Sequence, residues 1–424
     1  MREMKDSGVE WIGEIPVDWK LSKIKHHFSI SSGTTPKSDE PEYWDGDIVW
    51  ITPADFKTDD VFVSKGHSNL SLEVYMVSSL QLVPAGNIIF SKRAPIGQVV
   101  INAIDLCTNQ GCLAVVLNDD SDVRFYRYVM SIATEEFELA GSGTTFKEIS
   151  ATSFGNILLP LTSKQEQTKC ADYLDVKCSK IDVIIEKQQA IIEKLKEYKL
   201  SIINEAVTQG INPDVNMKQS GYKWIGSIPE HWNMVYAKQL FSQRKDRAFE
   251  DDEQLTASQK YGIISQKEFM DIEGRQVMQV LKGEEILKHV EKGDFVISMR
   301  SFQGGLEYSE VSGKISSAYV MLIPNRDKVC DRYYKWLFKS KKYISALQGT
   351  SNLIRDGQAL RFSNFVQVYL PSLDLDEQKK IADYLDDVCP KIDNEIEKRE
   401  KLLEKVLEYK KSLIYEVVTG KKEV

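Results

Sequence analysis

Glu197-Tyr198-Lys199 and Glu408-Tyr409-Lys410 each set a carboxylate two residues from an ammonium, a spacing that metal-dependent nucleases use, but both lie on a heptad-patterned helix whose charges face solvent. Gly313-Lys314-Ile315 and Gly420-Lys421-Lys422 lack the Ser or Thr that completes a phosphate-cradling loop. Asn212-Pro213-Asp214 falls short of the Asn/Asp-Pro-Pro-aromatic sequence that faces a flipped adenine. His26, His27, His67, His231 and His289 have no metal-ligand spacing, and six cysteines without a CxxC imply reduced thiols rather than zinc. The sequence therefore predicts no catalytic residue and no metal in this chain.

The remaining candidates are side chains that suit nucleic acid, because Arg and Lys grip phosphates or guanine edges while Asn and Gln match adenine edges. In the first half these are Lys92, Arg93, Asn109, Gln110, Thr144, Thr145 and Lys147. In the second they are Arg244, Lys245, Arg247, Arg300, Gln303, Arg355, Gln358 and Arg361. Gly141-Ser-Gly-Thr-Thr145 reads either as a flexible turn or as a backbone cradle for a phosphate.

The elements that must position them come from a repeat. Trp11-Ile-Gly-Glu-Ile-Pro-Val-Asp-Trp19 recurs as Trp224-Ile-Gly-Ser-Ile-Pro-Glu-His-Trp232, and the Glu166–Asp182 block recurs at Glu377–Asp393 with Ala-Asp-Tyr-Leu-Asp intact. The chain of 424 residues is thus one unit written twice, with 1–160 and 218–370 as unlike inserts and 161–217 and 371–424 as shared helical segments. Between the anchors only scattered echoes persist, such as Gly86/Gly293, Ser91/Ser298, Arg93/Arg300 and Gly97/Gly304.

Each shared segment opens with a capping box, Ser163 to Glu166 and Asp374 to Glu377. Pro390, which aligns with Ser179, predicts a short helix, a kink and then a long helix. The long helix shows a heptad seam at Ile181, Ile184, Gln188, Ile191, Leu195, Tyr198 and Ile202, with Ile185 and Ile192 flanking. Its copy runs Ile392, Glu395, Arg399, Leu402, Val406, Tyr409 and Leu413. In this reading the tyrosines occupy the seam and their neighbouring charges are solvated. About 30 residues at about 1.5 Å each make a rod of roughly 45 Å. Two such stripes can each pack on a separate core, or cover one another as an antiparallel pair, and the second arrangement matches the need of each for a partner of equal length. The inserts read as mixed α/β, with strands near 47–51, 87–90, 97–101, 112–117, 294–298 and 318–323 and helices near 122–140 and 329–348.

Charge sorts the parts. The net charge of −8 speaks against coating a polyanion through bulk electrostatics. Residues 1–160 hold 13 basic and 22 acidic side chains, whereas 218–370 hold 23 and 18, so the second insert carries most of the attraction. With 42% hydrophobic and 28% charged residues the composition is that of a folded protein, and no stretch approaches the roughly 18 apolar residues of a membrane span. A charged start, Met1 to Asp6, implies a cytoplasmic chain.

Along its whole length the chain resembles the specificity subunits of type I restriction-modification systems. The resemblance rests on Trp-Ile-Gly-x-Ile-Pro-x-x-Trp at the head of each half, Ser32-Gly-Thr-Thr-Pro36, Tyr43-Trp-Asp-Gly-Asp-Ile-Val-Trp-Ile51, Asn109-Gln-Gly111, Gly141-Ser-Gly-Thr-Thr145 and the paired Glu-Gln…Ala-Asp-Tyr-Leu-Asp…Lys-Ile-Asp blocks. It implies an α+β architecture with two α/β target recognition domains, separated by two long antiparallel coiled-coil-like helices in a pseudo-twofold tandem repeat. It implies partners as well: double-stranded DNA read as a bipartite asymmetric site, two methyltransferase subunits, restriction subunits and no membrane. S-adenosylmethionine, ATP and Mg would be held by those subunits. The second half has no clear counterpart of Gly-Thr-Thr-Pro or Asn-Gln-Gly, so its contacts do not carry over. A duplicated scaffold without a DNA role, or a stand-alone DNA-modifying enzyme, are the readings this one displaces.

Overall fold

The computed structural model describes residues 2–37, 40–57, 60–143, 147–274, 286–350 and 360–424. The chain divides into two compact units, residues 1–189 with 401–424, and residues 190–400. Each long helix contributes residues to both units.

In the first unit a sheet runs in the order Ser29–Ser32, Cys112–Val116, Ile88–Lys92, Ile96–Asn102, Phe62–Val63, antiparallel except for its last pairing. Its central strands carry unbroken apolar runs, 88–90, 99–101 and 112–116, because both faces are covered there. Ile88, Phe90, Leu113 and Val115 face one core with Phe125, Phe137 and Phe154, while Ile89, Val100, Cys112 and Ala114 face another with Ile51, Phe56 and Val83. The first core also takes Ile12, Ile15 and the fully buried Trp19 from the head motif, together with Cys170, Ala171 and Leu174 from one long helix and Leu413, Val417 and Val418 from the other. Gly420 stands at φ +73°, where a Cβ would come within 2.5 Å of Pro16, so the end of the second helix can close on the head motif only through glycine.

The second unit repeats the frame with different filling. Its sheet runs Phe241–Arg244, Val320–Pro324, Phe295–Ile297, Glu307–Tyr308. An aromatic core builds around Phe241, whose ring centroid lies 5.6 Å from Phe295, 5.2 Å from Tyr334 and 5.4 Å from Phe338. The Tyr333 hydroxyl donates to the Val207 carbonyl at 2.8 Å, tying this core to the end of the first long helix.

Both long helices are continuous, Lys164–Gln209 and Leu375–Val418, which corrects the expected short helix, kink and long helix. Pro390 sits inside the second on an exposed face, where one missing amide costs a single intrahelical bond and neighbouring Cys389 and Ile392 remain buried. The capping boxes are half formed: Ser163 Oγ accepts from the Glu166 amide at 3.3 Å, but the Glu166 carboxylate binds Arg2 and that of Glu377 binds His231 at 2.8 Å.

The helices run antiparallel within each unit. In the first, Cys170 meets Val417 and Asp182 pairs with Lys410; in the second, Lys199 reaches Asp393 at 2.6 Å and Lys196 reaches Glu400 at 3.8 Å. The two Asp–Lys pairs occupy equivalent places in the repeat. They also move the seam. Ile181, Ile192, Ile202, Ile392 and Leu413 are buried, and Ile191, Leu195 and Val406 half-buried, whereas Ile184, Tyr198, Leu402 and Tyr409 are exposed. The covered positions are Ile181, Ile185, Gln188, Ile192, Leu195, Lys199 and Ile202, a 4-3 rather than a 3-4 alternation. The two templates share every second position. The deciding feature is the lysine stem, which lies along the seam while its ammonium reaches a carboxylate. Glu-Tyr-Lys is thus read in reverse: lysine is in the seam and tyrosine in solvent.

Ile192→Ala, which empties a buried site, should lower stability by about 2–4 kcal/mol, and Ile184→Ala by under about 1 kcal/mol, as read from urea unfolding. Equal losses would contradict this seam.

Candidate nucleic-acid interface

In the first unit the polar motifs gather where the central strands end. Lys92 leaves its strand with Nζ 2.9 Å from Glu148 and 3.1 Å from Ser32 Oγ, and Arg93 Nη1 stands 3.4 Å from the other Glu148 oxygen. Ser142 and Glu148 exchange backbone hydrogen bonds at 2.9 Å, and the Ile149 amide donates to the Lys92 carbonyl at 3.0 Å, so the ends of the glycine-rich segment are tied to each other and its far end to Lys92. Its Thr144 and Thr145 lie outside the described residues. Gly33 lets two motifs touch: a Cβ there would come within 2.2 Å of the Thr108 carbonyl. Thr34 accordingly donates its amide to Thr108 at 2.9 Å, and its carbonyl accepts from Trp50 Nε1 at 3.1 Å. Asn109 Oδ1 accepts from the Gly111 amide at 2.8 Å, which shapes the turn, and leaves Gln110 exposed beside the Thr35 hydroxyl that donates to it. Exposed Lys147 lines, with Arg93, Pro95 and Glu138, an open depression of about 660 Å³.

The second unit treats its candidates differently. Arg244 is a structural fork, with Nε and Nη2 at 2.6 Å and 3.1 Å from the Asp294 carboxylate and Nη1 3.0 Å from Asp246. These hydrogen bonds outweigh burial and hold its guanidinium more firmly protonated than usual. Lys245 and Arg247 are exposed on the segment that follows. That segment is fastened by His289, a buried imidazole with Nδ1 2.8 Å from Asp252 and Nε2 3.1 Å from Glu291. Burial disfavours its charge, but the two carboxylates prevail and raise its pKa above 6.5. Arg300 is exposed; its amide donates to Ser298 Oγ at 3.3 Å and its carbonyl accepts from Gln259 Nε2 at 3.3 Å. Gln303 lies exposed on the same turn, and Arg361 is exposed at the start of the Phe362–Phe365 helix. Arg355 and Gln358 lie outside the described residues.

Two further arginines, one in each unit, hold the frame to the inserts. Arg124 Nη1 lies 2.8 Å from both Asp172 and Asp175, and Arg332 lies 2.7 Å from both Asp383 and Asp386. The same aspartates take a ring donor, Tyr128 to Asp175 at 2.8 Å and Trp336 to Asp386 at 2.7 Å. The repeated Ala-Asp-Tyr-Leu-Asp is therefore a clamp: its carboxylates, three residues apart on one helix face, grip the helix of the neighbouring insert. The identical spacing in both copies was the available signal. Buried Gln167 and Gln378 complete each clamp by accepting from the amides of Asp122 at 2.8 Å and Cys330 at 2.7 Å.

Among the described residues no group of His, Cys, Asp and Glu could hold a metal ion, and no helix is long and apolar enough to cross a membrane.

Against known proteins, the type I restriction modification DNA specificity domain matches residues 16–197 and again 229–405. The specificity subunit of the type I restriction enzyme MjaIX of Methanocaldococcus jannaschii is 35% identical over 190 residues, 43% of this chain and 43% of that protein. The putative MjaX specificity subunit of the same organism is 28% identical over 46% of this chain and 44% of its own length, so these alignments span less than half of either relative. The MjaVIII specificity subunit is 22% identical over 96% of this chain and 93% of its own. Two solved structures share the fold. One, from work on complex assembly and conformational transition of the type I R-M system, has a TM-score of 0.70 at 13% identity, covering 95% of this chain and 98% of its own. The other, the HsdS subunit of Thermoanaerobacter tengcongensis, has a TM-score of 0.51 at 13% identity, covering 96% and 98%.

Because the folded state raises the pKa of His289, its contribution to stability is complete below histidine's ordinary value of 6.5 and is lost as pH climbs through the raised value. Unfolding at a series of pH values should show the wild type losing stability above pH 6.5 relative to His289→Gln; parallel profiles would contradict the charged imidazole.

Proposed function

The chain belongs to the type I restriction modification DNA specificity domain family, and on that premise we propose that it is the subunit that selects the DNA site for a methyltransferase and endonuclease complex. The observation that carries this reading is the twofold occurrence of the family's domain over two units that share a frame and differ in the side chains at the strand ends. Each unit would take one part of an interrupted, asymmetric sequence. Lysines and arginines would hold phosphates, and Asn109, Gln110 and their neighbours would test base edges in a groove. Two methyltransferase subunits would bring S-adenosylmethionine, restriction subunits would bring ATP and Mg, and the assembly would work in the cytoplasm.

Glu148 has a particular part in this reading. It half-neutralises Lys92 and Arg93 in a unit whose insert already carries excess negative charge, so free protein should bind DNA weakly. Competing phosphates would have to displace it.

Methylation mapping in a host that carries the chain with its methyltransferase should find methyladenine at one gapped motif. No such motif would refute the proposal. Glu148→Gln should tighten binding of the isolated chain to a duplex of unrelated sequence at low salt and steepen the fall of log K with log salt by about one; an unchanged slope would place the phosphate contacts elsewhere.

A further inference from the structure

The second unit has no Asn-Gln-Gly in its sequence, but it has the same turn. In the first unit the Cys112 amide donates to the Asn109 carbonyl at 3.1 Å while Asn109 Oδ1 accepts from the Gly111 amide. In the second, the Tyr319 amide donates to the Ser316 carbonyl at 3.1 Å, and Ser316 Oγ accepts from the Ala318 amide at 3.3 Å. Both turns lead into the strand second in its sheet, Cys112–Val116 and Val320–Pro324. Ser317 therefore stands where Gln110 stands. The neighbouring strand ends correspond too. Ser91 and Ser298 are both buried and each accepts a backbone amide from further along the chain, that of Gln98 on the next strand and that of Arg300, and Arg93 and Arg300 lie two residues on. On the other flank the ladder pairs Leu113 with Ser32, and continued by one residue it sets Lys245 opposite Val320.

One exchange gives this correspondence its chemical sense. At the position of Lys92 the second unit has Met299, and at the position of Ser32 it has Lys245. The cation has changed strands and stayed at the same end of the sheet. Gln259 adds an amide, bonded to Arg300 through its carbonyl, and Lys260 beside it is exposed. Lys288 Nζ supports the turn at the Tyr319 carbonyl from 2.7 Å. Arg244, by contrast, is used up by Asp294 and Asp246.

We propose that the second unit reads its base pairs with Arg300, Gln259 and Ser317, with Lys245 holding the adjoining phosphate, and that Arg244 makes no contact with DNA. The ligand is the edge of a DNA duplex: the guanidinium matches the paired acceptors of guanine and the amide matches adenine. This rests on the DNA-reading role proposed above.

The test is methylated-motif mapping of the complete system carrying Arg300→Ala, Gln259→Ala or Lys245→Ala, each an exposed residue, with unfolding midpoints measured in parallel. Arg300→Ala and Gln259→Ala should each relax the base preference by roughly tenfold at one or two positions of a single half-site, and leave the other half-site intact. Lys245→Ala should lower methylation at all sites alike without changing the motif. An unchanged motif in both reading variants, a change in both half-sites, or lost methylation with a midpoint lowered by several degrees would overturn the assignment. A wild-type system that methylates no gapped motif would instead refute the role on which it rests.

Discussion

An apolar seam along a charged helix cannot be left in water, and in this protein each long helix covers that of the other with the opposite direction. Most of the other contacts follow from that requirement. The seam is not uniformly apolar: Lys199 and Lys410 lie in it and meet Asp393 and Asp182. A helix rotated to put Tyr198 and Tyr409 inward would leave those carboxylates without partners and expose Ile192. The ion pairs are half-exposed and add little stability of their own. Their value is in fixing which of two nearly equivalent faces is covered.

From that pair the insert positions are set through clamps rather than through broad apolar contact alone. Each Ala-Asp-Tyr-Leu-Asp holds an arginine from the helix that follows strand Cys112–Val116 or Val320–Pro324, and a buried glutamine satisfies the amide beside it. The same geometry appears in both units although the residues in the inserts differ almost everywhere. Conserving the frame while exchanging the strand ends is what a protein needs if target choice is to change without rebuilding the scaffold. The exchange of Lys92 and Ser32 for Met299 and Lys245 is that principle at the scale of one charge.

Much of this was legible in the sequence. The repeat, the strands near 88–92 and 112–116 and the antiparallel helices follow from spacing and apolar patterning, which are local signals. The seam register was not, because Ile184 and Ile185 are both isoleucine and only the lysine's distant aspartate decides between them. Pro390 misled for the same reason, since its cost is local and the packing that offsets it is not. Arg244 is held by Asp294, fifty residues away in the chain, a pairing for which no local signal exists. The serine turn at 316–319 has no residue in common with Asn-Gln-Gly, and only its hydrogen bonds reveal it.

If two independent readers share one frame, each half of the target can be exchanged by itself. The most direct measurement replaces residues 20–160 with the matching segment of another family member and maps the methylated sequence of the complete system. A new first half-site beside an unchanged second one is the predicted result. Change in both, or in neither, would contradict the account.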